Sequence, residues 1–232
     1  MKTIGLLGGM SWESTVTYYR AINEAVRDSL GGLHSARILM NSVDFHDIEI
    51  MQREQDWVGA GHALAEAAQQ VEAGGADFLV LCTNTMHKVA PSIENAINIP
   101  LLHIADATAE ALVYEHYQCV GLLGTEFTME QKFYKGRLID HYGLDVRVPE
   151  KQSQTTLHQI IYEELCLGIV RDESRQAVLA MIDDLHAKGA QAIILGCTEI
   201  GLLIQPEHTE VRLFDSTLEH ARMAVRRALD GQ

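Results

Sequence analysis

The residues most able to do chemistry in this 232-residue chain sit at the ends of two related segments. Gly75–Thr85, which reads Gly-Ala-Asp-Phe-Leu-Val-Leu-Cys-Thr-Asn-Thr, resembles Gly189–Glu199, 114 residues later, which reads Gly-Ala-Gln-Ala-Ile-Ile-Leu-Gly-Cys-Thr-Glu. Each copy is an apolar strand that ends on a small group with a reactive heteroatom. In the second copy that group is Cys197; in the same register the first copy has Thr83, with Cys82 one place earlier. Two facing reactive groups on a duplicated scaffold suit chemistry on both faces of a planar intermediate, and so the inversion of a carbon centre.

Each position has a plain reading beside the chemical one. A cysteine after an apolar strand packs as a small hydrophobe. A cysteine at a helix N-terminus ionises more readily than a free thiol and can act as a base. The duplication favours the second reading for Cys197. Thr83-Asn84-Thr85 offers hydroxyls and an amide for a carboxylate or a developing enolate; the same Asn84 or Thr85 can instead cap the next helix. His87 lies four residues past Thr83, on the same face of a helix, where it can tune a base or be a satisfied core histidine. Gly5-Leu6-Leu7-Gly8-Gly9-Met10-Ser11 follows a strand and opens a helix that Ser11 or Ser14 can cap. Such a turn can seat an anion on backbone N–H groups or be a tight strand–helix connection and nothing more. Its spacing is not that of a dinucleotide fingerprint.

The elements that must position these groups alternate. Strands are expected at Lys2–Leu7, Arg37–Asn41, Phe78–Leu81, Leu101–His103, Cys119–Leu123, Ala192–Leu195 and Val211–Phe214. Helices are expected at Trp12–Leu30, Trp57–Gly74, Met86–Ala96, Thr108–Glu115, Met129–Tyr142, Thr155–Val170, Glu173–Lys188 and Ser216–Leu229. Most strands are apolar on both sides, as parallel strands buried between helices are. The fold class is therefore α/β, with parallel sheets and right-handed crossovers. Two further repeats, Gly5–Gly8 with Gly121–Gly124 and Asp106-Ala107-Thr108 with Asp215-Ser216-Thr217, keep the order of the first. They imply two pseudo-symmetric, Rossmann-like domains with a tight active-site cleft between them. The first domain is expected over 1–113 and 210–232, the second over 114–209.

Composition narrows the partners. A net charge of −14 argues against nucleic acid or an anionic membrane surface. No apolar stretch has the length of a membrane span. The four cysteines (Cys82, Cys119, Cys166 and Cys197) have no paired spacing, which is the pattern of a reduced, cytoplasmic chain. The eleven histidines form no zinc motif. No lysine stands in a context for a Schiff-base cofactor. Cys119 reads as core, and Cys166 as facing either core or cleft.

These motifs resemble the cofactor-independent aspartate/glutamate racemases. Gly5–Met10, Thr83-Asn84-Thr85-Met86-His87 and Gly196-Cys197-Thr198-Glu199 carry the resemblance over essentially the whole chain. It implies a homodimeric amino-acid racemase that needs neither pyridoxal phosphate nor metal. In such enzymes a cysteine from each half flanks the substrate Cα; one removes the proton as thiolate and the other donates from the opposite face. Cys197 then handles the L-enantiomer and Thr83 stands where the other cysteine would be. Substrate binding falls to Met10, Gln52, Asn84, Thr85, Thr125, Thr198 and Glu199, with Asn84, Thr85 and Thr198 on the α-carboxylate.

Two departures matter. An alcohol is far harder to ionise than a thiol, so the Thr83 face is expected to be slow, and Cys82 points to the other side of the strand. The cations that aspartate-specific relatives carry are replaced by Ile48 and Cys166, with Gln52 and Arg53 as possible substitutes. The expected substrates are aspartate and glutamate, or a broader set including homoserine. Two other readings use the same residues: a cysteine-dependent decarboxylase of malonate-type acids, needing a single cysteine, and a catalytically weak amino-acid-binding relative.

Overall fold

The computed structural model of the protein describes residues 1–230. Strand β1 (Ile4–Gly8) runs into helix α1 (Trp12–Leu30), and the chain returns through β2 (Ile38–Ser42) to α2 (Phe45–Arg53) and α3 (Trp57–Ala73). Then come β3 (Phe78–Leu81), a 3-10 turn over Thr85–Val89, α4 (Ala90–Glu94), β4 (Leu101–Leu102) and α5 (Ile104–Tyr114). The second half repeats the scheme with β5 (Cys119–Gly124), α6 (Glu126–Glu130), a π-helical turn over Lys132–Gly136, α7 (Arg137–Tyr142), β6 (Asp145–Arg147) and α8 (Lys151–Glu163). It closes with α9 (Asp172–Ala187), β7 (Ala192–Gly196), α10 (Ile200–Leu203), β8 (Arg212–Asp215) and α11 (Ser216–Leu229).

The strands form two parallel four-stranded sheets, ordered β2-β1-β3-β4 and β6-β5-β7-β8. The two orders are the same once β5 is matched to β1, so the α/β class and the duplication read from the sequence are both present in the topology. The glycine repeats lie on the corresponding central strands β1 and β5 of the two sheets, and the longest repeat on β3 and β7. Among the described residues, one compact unit comprises residues 1–104 with 220–230; the other is Ala105–Glu219.

This division differs from the expected one at two elements. Helix α5 belongs to the second unit because Arg137 grips Asp106 with two hydrogen bonds, of 2.6 and 2.7 Å, and Tyr134 meets Thr108 at 3.3 Å. Strand β8 is the edge of the second sheet, paired with β7 from Ala192↔Arg212 to Leu195↔Asp215. Neither tie spans a short stretch of sequence, so local patterning is silent about both.

Other differences are local. The helix expected over Met86–Ala96 is a 3-10 turn followed by α4, with Pro91 in the first turn of α4, where its missing N–H is tolerated. The helix expected over Met129–Tyr142 is broken at Gln131, which takes an extended backbone. Strand β6, three residues long, and helix α2, capped by Asp44, were not expected.

The core of the first unit lies on the two sides of its sheet. Leu7, Leu79 and Leu81 pack with Leu64 and Ala68 of α3, Ile48 of α2 and Met86. Ile4, Leu6, Phe78, Val80 and Cys82 pack on the other side with Tyr18 and Ile22 of α1 and Ala221 and Val225 of α11. Alternation with a period of two along β1 and β3 produces this sorting.

Candidate active site

The same alternation separates Cys82 from Thr83. Cys82 continues the Phe78–Val80 face and is fully buried among α1 and α11 side chains. Its thiol donates to the Val80 carbonyl, at 3.7 Å, and burial pushes its pKa up. Thr83 is in phase with Leu79 and Leu81, and its N–H turns back to the Leu81 carbonyl at 2.9 Å, ending the strand.

The turn that follows is held by His87. Its Nδ1–H donates to the Thr83 carbonyl at 2.7 Å, and its Nε2 accepts from the Ile104 N–H at 3.2 Å. This pairing makes His87 the neutral Nδ1-protonated tautomer. Burial first, then His103 and His220 nearby, holds its pKa well below the ordinary value. His87 thus acts on the backbone of Thr83. Asn84 stands at the cap position of the Thr85–Val89 turn with helical dihedrals and makes no side-chain capping bond. Asn84 and Thr85 are both buried at this strand end.

The glycine turn after β1 is satisfied from within. Ser11 caps α1, accepting from the Ser14 N–H. The Gly9 N–H donates to Thr15 Oγ1 at 2.8 Å, so it is not available to an anion. Gly9 has φ +94°, and a Cβ there would lie 2.2 Å from the Val43 carbonyl oxygen. Close approach of two backbones therefore accounts for the glycine. Met10 is buried in the cluster that holds Ile48 and Met86. Gln52 of α2 is also buried, and its amide donates to Met86 Sδ at 2.9 Å, tying α2 to the turn after Thr83. Arg53, considered as a replacement cation, points to solvent with its side chain 64% exposed and pairs with Glu49 at 3.3 Å.

In the second unit, β7 ends in Cys197-Thr198-Glu199. Cys197 is 7% exposed and Glu199 3%. Glu199 Oε2 accepts from Cys197 Sγ at 3.0 Å and from Thr198 Oγ1 at 2.5 Å. Contrary to the expectation of an easily ionised thiol, the pKa of Cys197 is raised well above the ordinary value, first by burial and then by the Glu199 charge and by Cys166. The helix beyond, α10, is a single turn and offers little dipole. Thr125 follows β5, the neighbour of β7, with Gly124 paired to Gly196. It caps α6, its Oγ1 accepting from the Thr128 N–H at 3.3 Å.

Thr198, Glu199 and Cys197 are therefore brought into direct contact. Gln52 reaches Met86, just past Asn84 and Thr85, and Met10 shares their side of the sheet. Met10, Thr83–Thr85, Thr125 and Cys197–Glu199 follow the carboxyl ends of β1, β3, β5 and β7, the central parallel strands, where open α/β sheets bind ligands, whereas Gln52 comes from α2. The sequence reading allowed a satisfied core histidine at His87 but missed that His103 and His220 are buried beside it. His220 donates through Nε2 to the Leu102 carbonyl at 2.9 Å and accepts from Tyr18 at 2.9 Å. It enters from a helix more than a hundred residues away, and no local spacing signals it. Among the described residues, no cluster of three His, Cys, Asp or Glu could hold a metal ion, and no helix is long and apolar enough to cross a membrane.

Known proteins carry the same architecture. The sequence profile of the Asp/Glu/Hydantoin racemase family matches residues 7–224. A crystal structure from Yersinia pestis, described as a candidate Asp/Glu racemase, is 51% identical over 99% of this chain and 100% of that one, with a TM-score of 0.92. An aspartate racemase homologue from Pyrococcus horikoshii OT3 is 32% identical over 98% of this chain and 99% of its own, with a TM-score of 0.84. The broad specificity amino-acid racemase RacX of Bacillus subtilis (strain 168) is 25% identical over 96% of each chain.

Proposed function

We propose that this chain, which belongs to the Asp/Glu/Hydantoin racemase family, is a pyridoxal-phosphate-independent amino-acid racemase that removes and returns the proton at Cα. Cys197 is the base for the L-enantiomer, and Thr83 serves the opposite face. The α-carboxylate is held by Asn84, Thr85 and Thr198. The observation that carries this reading is the equivalence of two strand ends in a duplicated fold: a buried cysteine hydrogen-bonded to a carboxylate in one copy, and a buried threonine in the same register in the other.

The two groups are unequal as acids and bases. A threonine hydroxyl does not ionise near neutral pH, so Thr83 donates or relays a proton, through water, more readily than it abstracts one. Removal of the proton from the L-enantiomer is then fast and removal from the D-enantiomer slow. The α-proton itself is very weakly acidic. Exclusion of water and fixed donors around the carboxylate must supply several kcal/mol of the lowering of its barrier.

The side chains at the positions read as departures from the aspartate-specific pattern support a broad or neutral-polar substrate range over strict aspartate specificity. Ile48, which the resemblance sets in place of a cation, is buried, Arg53 is paired at the surface, and Gln52 offers an uncharged amide. Burying a second substrate carboxylate without a cation is costly. The name of the Bacillus subtilis relative, with its broad specificity, agrees with this. We place aspartate, glutamate and homoserine in the substrate set, and a homodimer in the cytoplasm as the working form.

The test is proton NMR in deuterium oxide with separate L- and D-samples of the three amino acids. Wild-type protein exchanges the Cα proton and Cys197→Ala does not; the fastest substrate identifies the preferred side chain. No exchange with any sample overturns the reading, and release of carbon dioxide from a malonate-type acid would replace it with decarboxylation.

A further inference from the structure

We propose that His87 is a positioning residue for the proton transfer assigned to Thr83: it is a strut that fixes the backbone of Thr83 where β3 ends. This rests on the racemase reading above and adds to it a residue that touches neither substrate nor reacting atoms.

Thr83 stands just beyond the last support of its sheet. The ladder between β3 and β1 continues to Cys82, whose N–H donates to the Leu7 carbonyl at 2.9 Å. At Thr83 both main-chain groups leave the sheet. The N–H folds back on Leu81, and the carbonyl accepts from His87 Nδ1 at 2.7 Å. A β-branched side chain has few rotamers, so the place of the Thr83 hydroxyl follows from the place of its backbone. With the carbonyl held, the planar peptide that follows it is held as well.

A strut needs a second anchor. His87 Nε2 accepts from the Ile104 N–H at 3.2 Å, where β4 gives way to α5. Strand β4 is the neighbour of β3, so the imidazole spans the carboxyl ends of two adjacent strands. The ring is also packed against turning. It is buried, with the His103 ring centroid 4.4 Å away and that of His220 at 5.8 Å. His220 is itself fixed by the Leu102 carbonyl and the Tyr18 hydroxyl. Burial and these two neighbours disfavour a second ring proton. One ring nitrogen therefore donates and the other accepts. An apolar ring would fill the same space and hold neither backbone group.

The consequence is one-sided. Cys197 ends a strand of the other sheet and has its own contact with Glu199. Loss of the strut therefore slows inversion, which uses the Thr83 face, more than deuterium exchange into the L-enantiomer, which uses the Cys197 face alone.

Two variants divide the strut. The amide of His87→Asn lies near the Nδ1 position and keeps the donor to Thr83; that of His87→Gln reaches the Nε2 position and keeps the acceptor for Ile104. The experiment uses whichever of L-aspartate, L-glutamate and L-homoserine the wild type exchanges fastest, at saturation in deuterium oxide. Proton NMR reads deuterium entry into the L-enantiomer, and chiral chromatography reads appearance of the D-enantiomer. In His87→Gln the ratio of inversion to exchange is expected to fall by about tenfold or more, the scale on which misplacing a reacting group slows it, while L-exchange stays within about threefold of wild type and His87→Asn keeps the ratio within about threefold. A ratio unchanged in His87→Gln, or lowered equally in both variants, overturns the proposal, because a residue that only supports the fold would slow exchange and inversion alike. If the variants do not fold, nitrogen-15 NMR of the wild-type imidazoles decides: a neutral His87 with its proton on Nδ1 in the presence of substrate supports the strut, and a ring protonated on Nε2 or on both nitrogens overturns it. Wild-type protein that exchanges no substrate overturns the racemase reading and this proposal with it; exchange that is indifferent to His87 overturns this proposal alone.

Discussion

Thr83 and Cys82 are adjacent, yet they serve opposite sides of a strand, and this is the difference that a variant can expose. Thr83→Cys supplies an ionisable group in phase with Leu79 and Leu81. It is expected to speed deuterium exchange from the D-enantiomer by on the order of tenfold or more, read by the same NMR experiment; no gain would remove Thr83 from the proposed catalytic pair. Cys82→Ala is expected to leave both exchange rates within about twofold. It should lower stability by about 1 kcal/mol, the worth of one small buried group, measured by urea denaturation. That the two residues face apart was readable from the period of a strand. Which of them met the α1 and α11 core was not, because that depends on helices distant in sequence. The protonated state of Cys197 was hidden for a related reason. Its controlling neighbour, Glu199, was visible two residues on, but whether its carboxylate turned toward the thiol depended on how the chain leaves β7.

Among the elements, the β1–α1 turn shows most clearly what a motif means once folded. Its glycines read equally well as an anion seat or as a tight connection. The structure spends the Gly9 N–H on Thr15 and brings Val43 against the Gly9 Cα. Gly9→Ala is expected to cost about 1–3 kcal/mol from the positive φ, with the contact to Val43 added. Gly31→Ala, also at positive φ but with nothing within 4 Å of its Cβ, should cost less. The difference in urea midpoints checks this, and equal losses would mean that Val43 yields freely. The long helices were legible from amphipathic spacing, and α1 and α11 match the expected ranges. Strand β6 was not, since three residues carry too little periodicity. The breaks near Pro91 and Gln131 were missed because apolar spacing continued through them.

At the scale of the molecule, the buried histidines couple the turn after Thr83 to pH. His87 is neutral and fully hydrogen-bonded, with its pKa held down by burial and by its histidine neighbours. In the unfolded chain it titrates near 6.5, so below that value the unfolded state binds the proton first. Its contribution to stability is present above about pH 6.5 and is lost as pH falls toward the lower folded value. His87→Gln should therefore be less stable than wild type at pH 8 and show a shallower loss between pH 6.5 and pH 5. Comparing the two proteins cancels groups such as Asp215, whose pKa, pushed up to about 6 by burial, has the opposite sign of effect. Parallel curves would show that His87 does not titrate on unfolding. By itself the sequence determined the duplication, the parallel α/β class, the strand ends that carry Thr83 and Cys197, and the opposite facing of Cys82, because all of these are written in local periodicity and repeated motifs. Only the tertiary structure decided that α5 and β8 join the second unit, that Arg53 turns to solvent, that three histidines meet under the Thr83 turn, and that Cys197 rests as a thiol against Glu199. Those outcomes depend on which buried neighbours meet, and neighbours brought together by folding, or turned toward each other by the path of the backbone, leave no spacing in the chain to read.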